Sequence, residues 1–458
     1  MKIDCLVAEI GSTTTVVNAF NGIYTNQPTF VGQGFAPTTV LLGDVTIGLN
    51  QAIEQLKNDI QATTLEIGET FACSSAAGGL KMSVHGLVHD MTVKAAKEAA
   101  LGAGANLHYM TSGTLNFFDL DRIKNLKLNI ILLAGGVDYG ETKTALENAE
   151  KIASLKLSIP VIYAGNIQNR EAIKEIFRRY SQDKYLHIAP NVYPRIDHLD
   201  VTETRKIIQS VFEENITKAP GMEKVRNVIE GHIMPVPGAV MEASNLLYRE
   251  IGDLVTIDIG GATTDVHSVT EGSEEVARKL IAPEPFAKRT VEGDLGLYIN
   301  KDTLIEIIGK DKLMKQLKLD QMQLSHLIQN YQPIPTSEQV PLTEELAYHA
   351  LSLSMKRHCG HYINVYGTNG MTKLAEGKDL TAVKYLIGTG GALTRLPNRD
   401  IIIQRYLHEN DDLLLKPKST VEVLIDNQYI MATLGVLSLK YPEAALTLLK
   451  ASLNLKQR

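Results

Sequence analysis

Two stretches far apart in this chain are built alike, and together they restrict its fold more than anything else in it. Ile3 to Ile10 is an apolar run that stops at Gly11, passes through Ser12-Thr13-Thr14-Thr15 and resumes an apolar pattern at Val16-Val17. Leu254 to Ile259 stops at Gly260-Gly261, passes through Ala262-Thr263-Thr264-Asp265 and resumes at Val266-His267-Ser268-Val269. Each reads as strand, tight turn and second strand, a hairpin rather than the strand-to-helix opening of a dinucleotide-binding unit. Glycine permits the sharp turn and the close approach of a ligand, and turn N–H groups converge on anionic oxygens. One such hairpin says little; two of them point to a fold that closes phosphate-binding turns over one ligand from opposite sides.

The chain is long enough for this. Its 458 residues, 44% hydrophobic and 21% charged, predict two to four globular domains and exclude disordered, collagen-like and small disulfide-scaffold classes. A net charge of −6 supplies no basic field for nucleic acid or an anionic membrane. No stretch approaches the ~20 apolar residues of a membrane span. The start, MKIDCLVAEIGS, has acids at positions 4 and 9 and lacks the apolar core of a signal peptide. Cys5, Cys73 and Cys359 form no C-x-x-C pair, which suits a reducing compartment, and we read the chain as cytoplasmic.

Between the hairpins, strand and helix alternate. Strand-like runs near 128–133, 160–164 and 186–189 are separated by helical stretches at 141–156 and 170–180, predicting a small parallel βαβαβ unit over roughly 126–200. Helices are expected over 203–215 and, after the Pro-rich 234–238, over 239–248, ending near Gly252. Thr343 is expected to cap a helix with Glu344 and Glu345 in its first turn and Lys356, Arg357 and His358 in its last. Another helix is compatible with Ala432 to Leu437.

Asp258 ends a buried-looking strand, so it needs a cation, such as hydrated Mg²⁺, or it caps its own turn; Asp265 carries the same ambiguity. Tyr385-Leu386-Ile387 runs into Gly388-Thr389-Gly390-Gly391, where adenine or ribose could pack on bare backbone. A G-x-G-x-x-G would need glycine where Leu393 stands, and no Walker loop exists, because Gly309-Lys310 and Gly377-Lys378 are each followed by Asp. His85 and His89 have zinc-pair spacing without a third ligand and read as structural, as do His358, Cys359 and His361. Cys73 lacks a locatable base, and Glu292 and Asp294 fit either a cleft or a solvated turn.

The order EIGSTTT, IDIGGATTDVHSV, LIGTGGALTRLP and a helix around ATLGV resembles the phosphate 1, phosphate 2, adenosine and connecting motifs of the actin, Hsp70 and sugar-kinase ATPase superfamily. More narrowly, CSSAAGGLKM (73–82), LAGGVDYGET (133–142) and EPFAKRTVEGDLG (284–296) resemble the MutL/GlmL accessory ATPases of adenosylcobalamin-dependent glutamate mutase and related aminomutases, a family distinct from the mismatch-repair protein of that name. The resemblance implies an α/β, actin-like (ribonuclease H-like) fold with a nucleotide cleft. Domain I would comprise 1–125 and 201–250, with 429–458 returning to it; an inserted parallel α/β domain would span 126–200, and domain II 251–428.

It further implies ATP or ADP with Mg²⁺. Gly11, Ser12, Thr13 and Thr14 would contact phosphates; Gly260, Gly261, Thr263 and Thr264 would hold the β- and γ-phosphates; Gly388, Thr389, Gly390 and Gly391 would flank adenosine. Asp258 and Glu9 would be the catalytic carboxylates and hold Mg²⁺ through water, Glu9 standing where relatives carry Asp. Val236 stands where Hsp70-like members carry an acid, implying slow intrinsic hydrolysis that suits a switch. The implied role is a reactivating chaperone that lets a mutase exchange damaged cobalamin; the alternative is a small-molecule kinase or a hydantoinase- or oxoprolinase-like ATP-dependent enzyme. The partners would be the mutase subunits, with no nucleic acid and no membrane, and with self-association left open. Cobalamin itself is not expected on this chain, since D-x-H-x-x-G is only half met at Asp265, His267 and Thr270. The inserted unit suits either partner contact or stability.

Overall fold

The computed structural model describes residues 1–76, 80–218, 221–367 and 370–455. Its first sheet grows from the N-terminal hairpin. Lys2–Ile10 pairs antiparallel with Thr14–Asn21, which pairs antiparallel with Thr29–Pro37; on the other side Glu66–Ser74 and then Ile233–Pro235 join in parallel. Leu6 to Ala8 are fully buried, because a strand with neighbours on both edges and layers on both faces must be apolar throughout.

The second sheet repeats this plan. Leu254–Ile259 pairs antiparallel with Thr264–Val269, and that with Ala287–Glu292, while Tyr385–Thr389 and Glu422–Ile425 add in parallel on the other edge. Two mixed sheets, each a three-strand meander extended by two parallel strands, are the two halves of the actin-like α/β fold expected from the sequence. Helix Val236–Ile251 follows the last strand of the first sheet and crosses helix Met431–Leu437, which follows the last strand of the second. They meet at Gly435, where a Cβ would overlap the Ala239 carbonyl.

A third sheet is entirely parallel, in the order Ala105–Ser112, Leu80–Gly86, Ile130–Leu133, Val161–Tyr163, Leu186–Ile188. The last three strands and helices Lys143–Ser154 and Arg170–Arg179 are those expected within 126–200. The first two lie upstream of that boundary, so the parallel unit begins at Leu80 rather than near 126. Lys81, Ser83 and His85 make the Leu80–Gly86 strand alternate like a half-solvated one, and only its place between two parallel neighbours shows that it is central.

One helix start also differs. The helix over Thr343 runs Val340–His358, with Gln339 at its N-cap, Pro341 in its first turn and Thr343 inside it. Thr343 donates its hydroxyl back to the Gln339 carbonyl at 2.9 Å instead of capping. The basic residues 356–358 do occupy the last turn. Among the described residues no helix is long and apolar enough to cross a membrane.

Candidate functional site

The two hairpin turns close identically. Gly11 N donates to Thr14 O at 3.0 Å, and Gly260 N to Thr263 O at 2.9 Å. Several of their other carbonyls accept from protein donors: Thr38 Oγ1 to Gly11 O at 2.9 Å, Thr38 N to Thr13 O at 2.9 Å, Tyr298 N to Gly261 O at 2.8 Å and Asn300 Nδ2 to Ala262 O at 2.7 Å. These bonds fix the turns and engage the oxygens that would repel an anion. The tips face each other across the two halves: a Cβ on Gly261 would lie 3.9 Å from Thr13 Oγ1.

Between them lies a cavity of about 560 Å³. From the first half it is lined by Glu9, Gly11, Ser12, Thr13 and Thr14, and from the second by Asp258, Gly260, Gly261, Thr263 and Gly391. Four residues expected here do not line it. Thr264 is fully buried and donates to Leu295 O at 2.9 Å; Thr389 is buried and donates to Asp426 Oδ2 at 3.0 Å. Gly388 packs against Ile403, Ile425 and Leu393. Gly390 has φ +81°, and a Cβ there would collide with the Asp258 carboxylate, so it makes room for that side chain. Strand Tyr385–Thr389 ends inside this run and helix Gly390–Arg395 begins there, so of the four only Gly391, in the helix's first turn, reaches the cavity.

The carboxylates crowd the cavity. Burial lifts Glu9 to about 7, although Tyr429 Oη donates to it at 2.8 Å. Asp258 is pushed well up by burial first, then by the charges of Asp265 and Glu9. Asp265 is matched by Arg289, whose Nη2 donates to it at 2.6 Å. Among the described residues no group of three or more His, Cys, Asp or Glu forms an all-protein metal cage. A buried carboxylate, Glu9, and a half-buried one, Asp258, one from each half and beside turns suited to phosphate, fit Mg²⁺, which keeps waters and phosphate oxygens for the rest of its octahedron.

Asp258, Glu9 and Asp265 are the only acids on the wall among the described residues. Val236 opens its helix at the cavity edge with Pro235 and Pro237, and Glu242 does not reach it. Glu292 and Asp294 are clasped by Arg357 at 2.6 and 2.7 Å, a turn outside the cavity. His85 is buried between Thr111 and Ser83 while His89 is exposed beside Asp90, so the pair does not converge. Cys73 is buried with its thiol pushed well up by burial, and the motif after it enters residues 77–79, which lie outside the described residues. Sequence reasoning missed Tyr429, Arg395, Tyr298 and Arg289 on the wall. Arg289 and Arg395 carried a signal, their places in EPFAKRTVEGDLG and LIGTGGALTRLP.

The family pattern described as MutL protein matches residues 5–453. The chain belongs to this family. A curated relative, "Protein MutL" of Clostridium tetanomorphum, is 35% identical over 463 aligned residues, covering 97% of this chain and 98% of the relative. Family membership thus rests on nearly the whole length and on no single motif. Among solved structures, a diol dehydratase-reactivating factor in its nucleotide-free form aligns over 97% of this chain and 100% of its own, at 10% identity and a TM-score of 0.38. A nucleotide-free acetone carboxylase structure aligns over 95% and 70%, at 11% identity and 0.39.

Proposed function

We propose that this chain is an ATP-binding and ATP-hydrolysing accessory protein that reactivates an adenosylcobalamin-dependent mutase, glutamate mutase or a related aminomutase, by promoting exchange of damaged cobalamin. The observation that carries the nucleotide part is the pair of identically closed turns, one from each half, facing each other over one cavity with Glu9 and Asp258 beside them. Membership of the MutL protein family and the family resemblance in the sequence support the accessory role.

In this reading the N–H groups of Ser12, Thr13, Thr14 and Thr263 and the hydroxyls of Ser12, Thr13 and Thr14 hold the phosphates, and Tyr331, Ile334, Leu396 and Pro397 give the base an apolar wall. Asp258 and Glu9 hold Mg²⁺ through its waters; the ion, when bound, supplies charge neutralisation at the phosphates. Burial raises Glu9 to about 7, a value suited to exchanging a proton with water near neutral pH. With no acid on helix Val236–Ile251 at the cavity, hydrolysis is expected to be slow, so that ATP and ADP states persist long enough to bias a partner.

The test is phosphate release from Mg-ATP, with and without a candidate mutase loaded with inactive cobalamin. Stimulation by the damaged complex, with cobalamin released in step, is the expected result. Basal turnover unmoved by any mutase, with a small metabolite emerging phosphorylated or ring-opened, would overturn it in favour of a metabolic enzyme.

A further inference from the structure

The motif at 284–296 builds a joint between the second sheet and the parallel unit. Lys94, at the start of helix Lys94–Gly102, donates to Glu284 Oε1 at 2.6 Å, and Lys288 donates to the other oxygen of that carboxylate at 2.7 Å. Arg205, from helix Thr202–Asn215, donates to Ala287 O at 3.2 Å. Arg289 is the centre of the joint and is 1% exposed. Its Nε and Nη2 donate to Asp265 Oδ1 at 2.9 and 2.6 Å, while Nη1 crosses to Leu101 O at 3.1 Å and Ala105 O at 2.9 Å. Leu101 O lies in the last turn of its helix and also accepts from Gly104 N at 2.9 Å, so it keeps a backbone partner when Arg289 leaves it.

Arg289 also faces the cavity, together with Asp265, Gly104 and Asn106. Asp265 takes the hydroxyl of Thr263, the residue that closes the second turn, at 2.9 Å. One side chain therefore joins that turn to the parallel unit. The other arginine on the wall, Arg395, instead lies over the rings of Phe35 and Tyr429. The joint is incompletely paired: His267, the register partner of Arg289, is fully buried with neither ring nitrogen bonded, and Glu98 Oε2 and Arg205 Nε have no partner. Buried polar atoms left unpaired weaken a closed contact relative to an opened, hydrated one.

We propose that Arg289 is the residue by which this cavity distinguishes a nucleoside triphosphate from a diphosphate: its guanidinium donates to the terminal phosphate and in doing so gives up the Leu101 and Ala105 carbonyls, freeing the parallel unit. The inference rests on the nucleotide reading above. A planar guanidinium pairs with phosphate in a two-pronged geometry, and a contact made only with the triphosphate is the differential interaction that a shift between two states requires.

The test uses the full chain, Arg289→Met and Arg289→Lys, with Mg²⁺ and competition binding of ADP and a non-hydrolysable ATP analogue. Arg289→Met should lower the ratio of analogue to ADP affinity by on the order of tenfold or more, with partial recovery in Arg289→Lys. In the wild-type chain, amide exchange over 94–106 should be faster with the analogue than with ADP, and equal for both in Arg289→Met. Equal loss of both affinities, the mark of a merely structural arginine, would overturn the proposal. So would wild-type exchange that ignores the nucleotide, a readout that needs no variant to fold. A wild-type chain that binds neither nucleotide refutes the nucleotide reading and this inference together; one that binds both without responding refutes this inference alone.

Discussion

Gly390 and Gly391 are neighbours in one glycine run, yet the structure assigns them opposite sensitivities. Gly390 has φ +81°, and its Cβ would collide with the Asp258 carboxylate and lie 2.7 Å from both Ile259 N and Ile259 O. Alanine there is expected to cost roughly 1–2 kcal/mol for the left-handed backbone and roughly 1–3 kcal/mol for overpacking, about 2–5 kcal/mol together. At Gly391 nothing lies within 4 Å of an added Cβ. Both sit in helix Gly390–Arg395, where alanine is favoured over glycine by about 0.5–1 kcal/mol, so Gly391→Ala should be neutral or slightly stabilising. Urea unfolding of the two variants, followed by far-UV circular dichroism, measures the contrast. Curves that shift alike, or a Gly390→Ala cost below about 1 kcal/mol, would refute the reasoning.

Burial raises Glu9 from 4.5 to about 7, so the folded chain holds this proton more tightly than the unfolded one. The stability it contributes is full below its ordinary value and is lost as pH rises to about 7, by about 3 kcal/mol at most. Glu9→Gln should abolish that slope, read as the wild-type minus variant difference in unfolding free energy between about pH 5 and about pH 8. Asp258→Asn removes one charge from a crowd of carboxylates, so it should keep or improve folding while Mg-dependent phosphate release disappears; unchanged release would remove Asp258 from the site. Gly435→Val should separate the two crossing helices, because its Cβ meets the Ala239 carbonyl and backbone cannot yield cheaply; a cost of about 3 kcal/mol or more in the unfolding midpoint is expected.

Much of the site was legible because its chemistry is local. A turn that must bend sharply beside an anion needs glycine and small hydroxyl residues at fixed offsets, so Gly11 to Thr14 and Gly260 to Thr263 stood out before any pairing was known. The third glycine run misled for the same reason in reverse. Gly388, Thr389 and Gly390 look like a ligand surface, but one packs on the core, one holds Asp426 and one makes room for Asp258. A glycine that serves a ligand and a glycine that serves a neighbouring side chain leave the same letter in the sequence.

The chain's own letters thus determined the two hairpins, the alternation of strand and helix after Ile130, and the family, because these depend on residue type and spacing within short windows. Tertiary structure alone decided that Leu80–Gly86 is a central strand of the parallel sheet, and that Tyr429 reaches Glu9. It alone carried Arg289 across to the carbonyls of Leu101 and Ala105. The two side-chain contacts join residues 184 to 420 positions apart, and a side chain's partners across such a gap are set by how the sheets and helices pack, which no local pattern encodes.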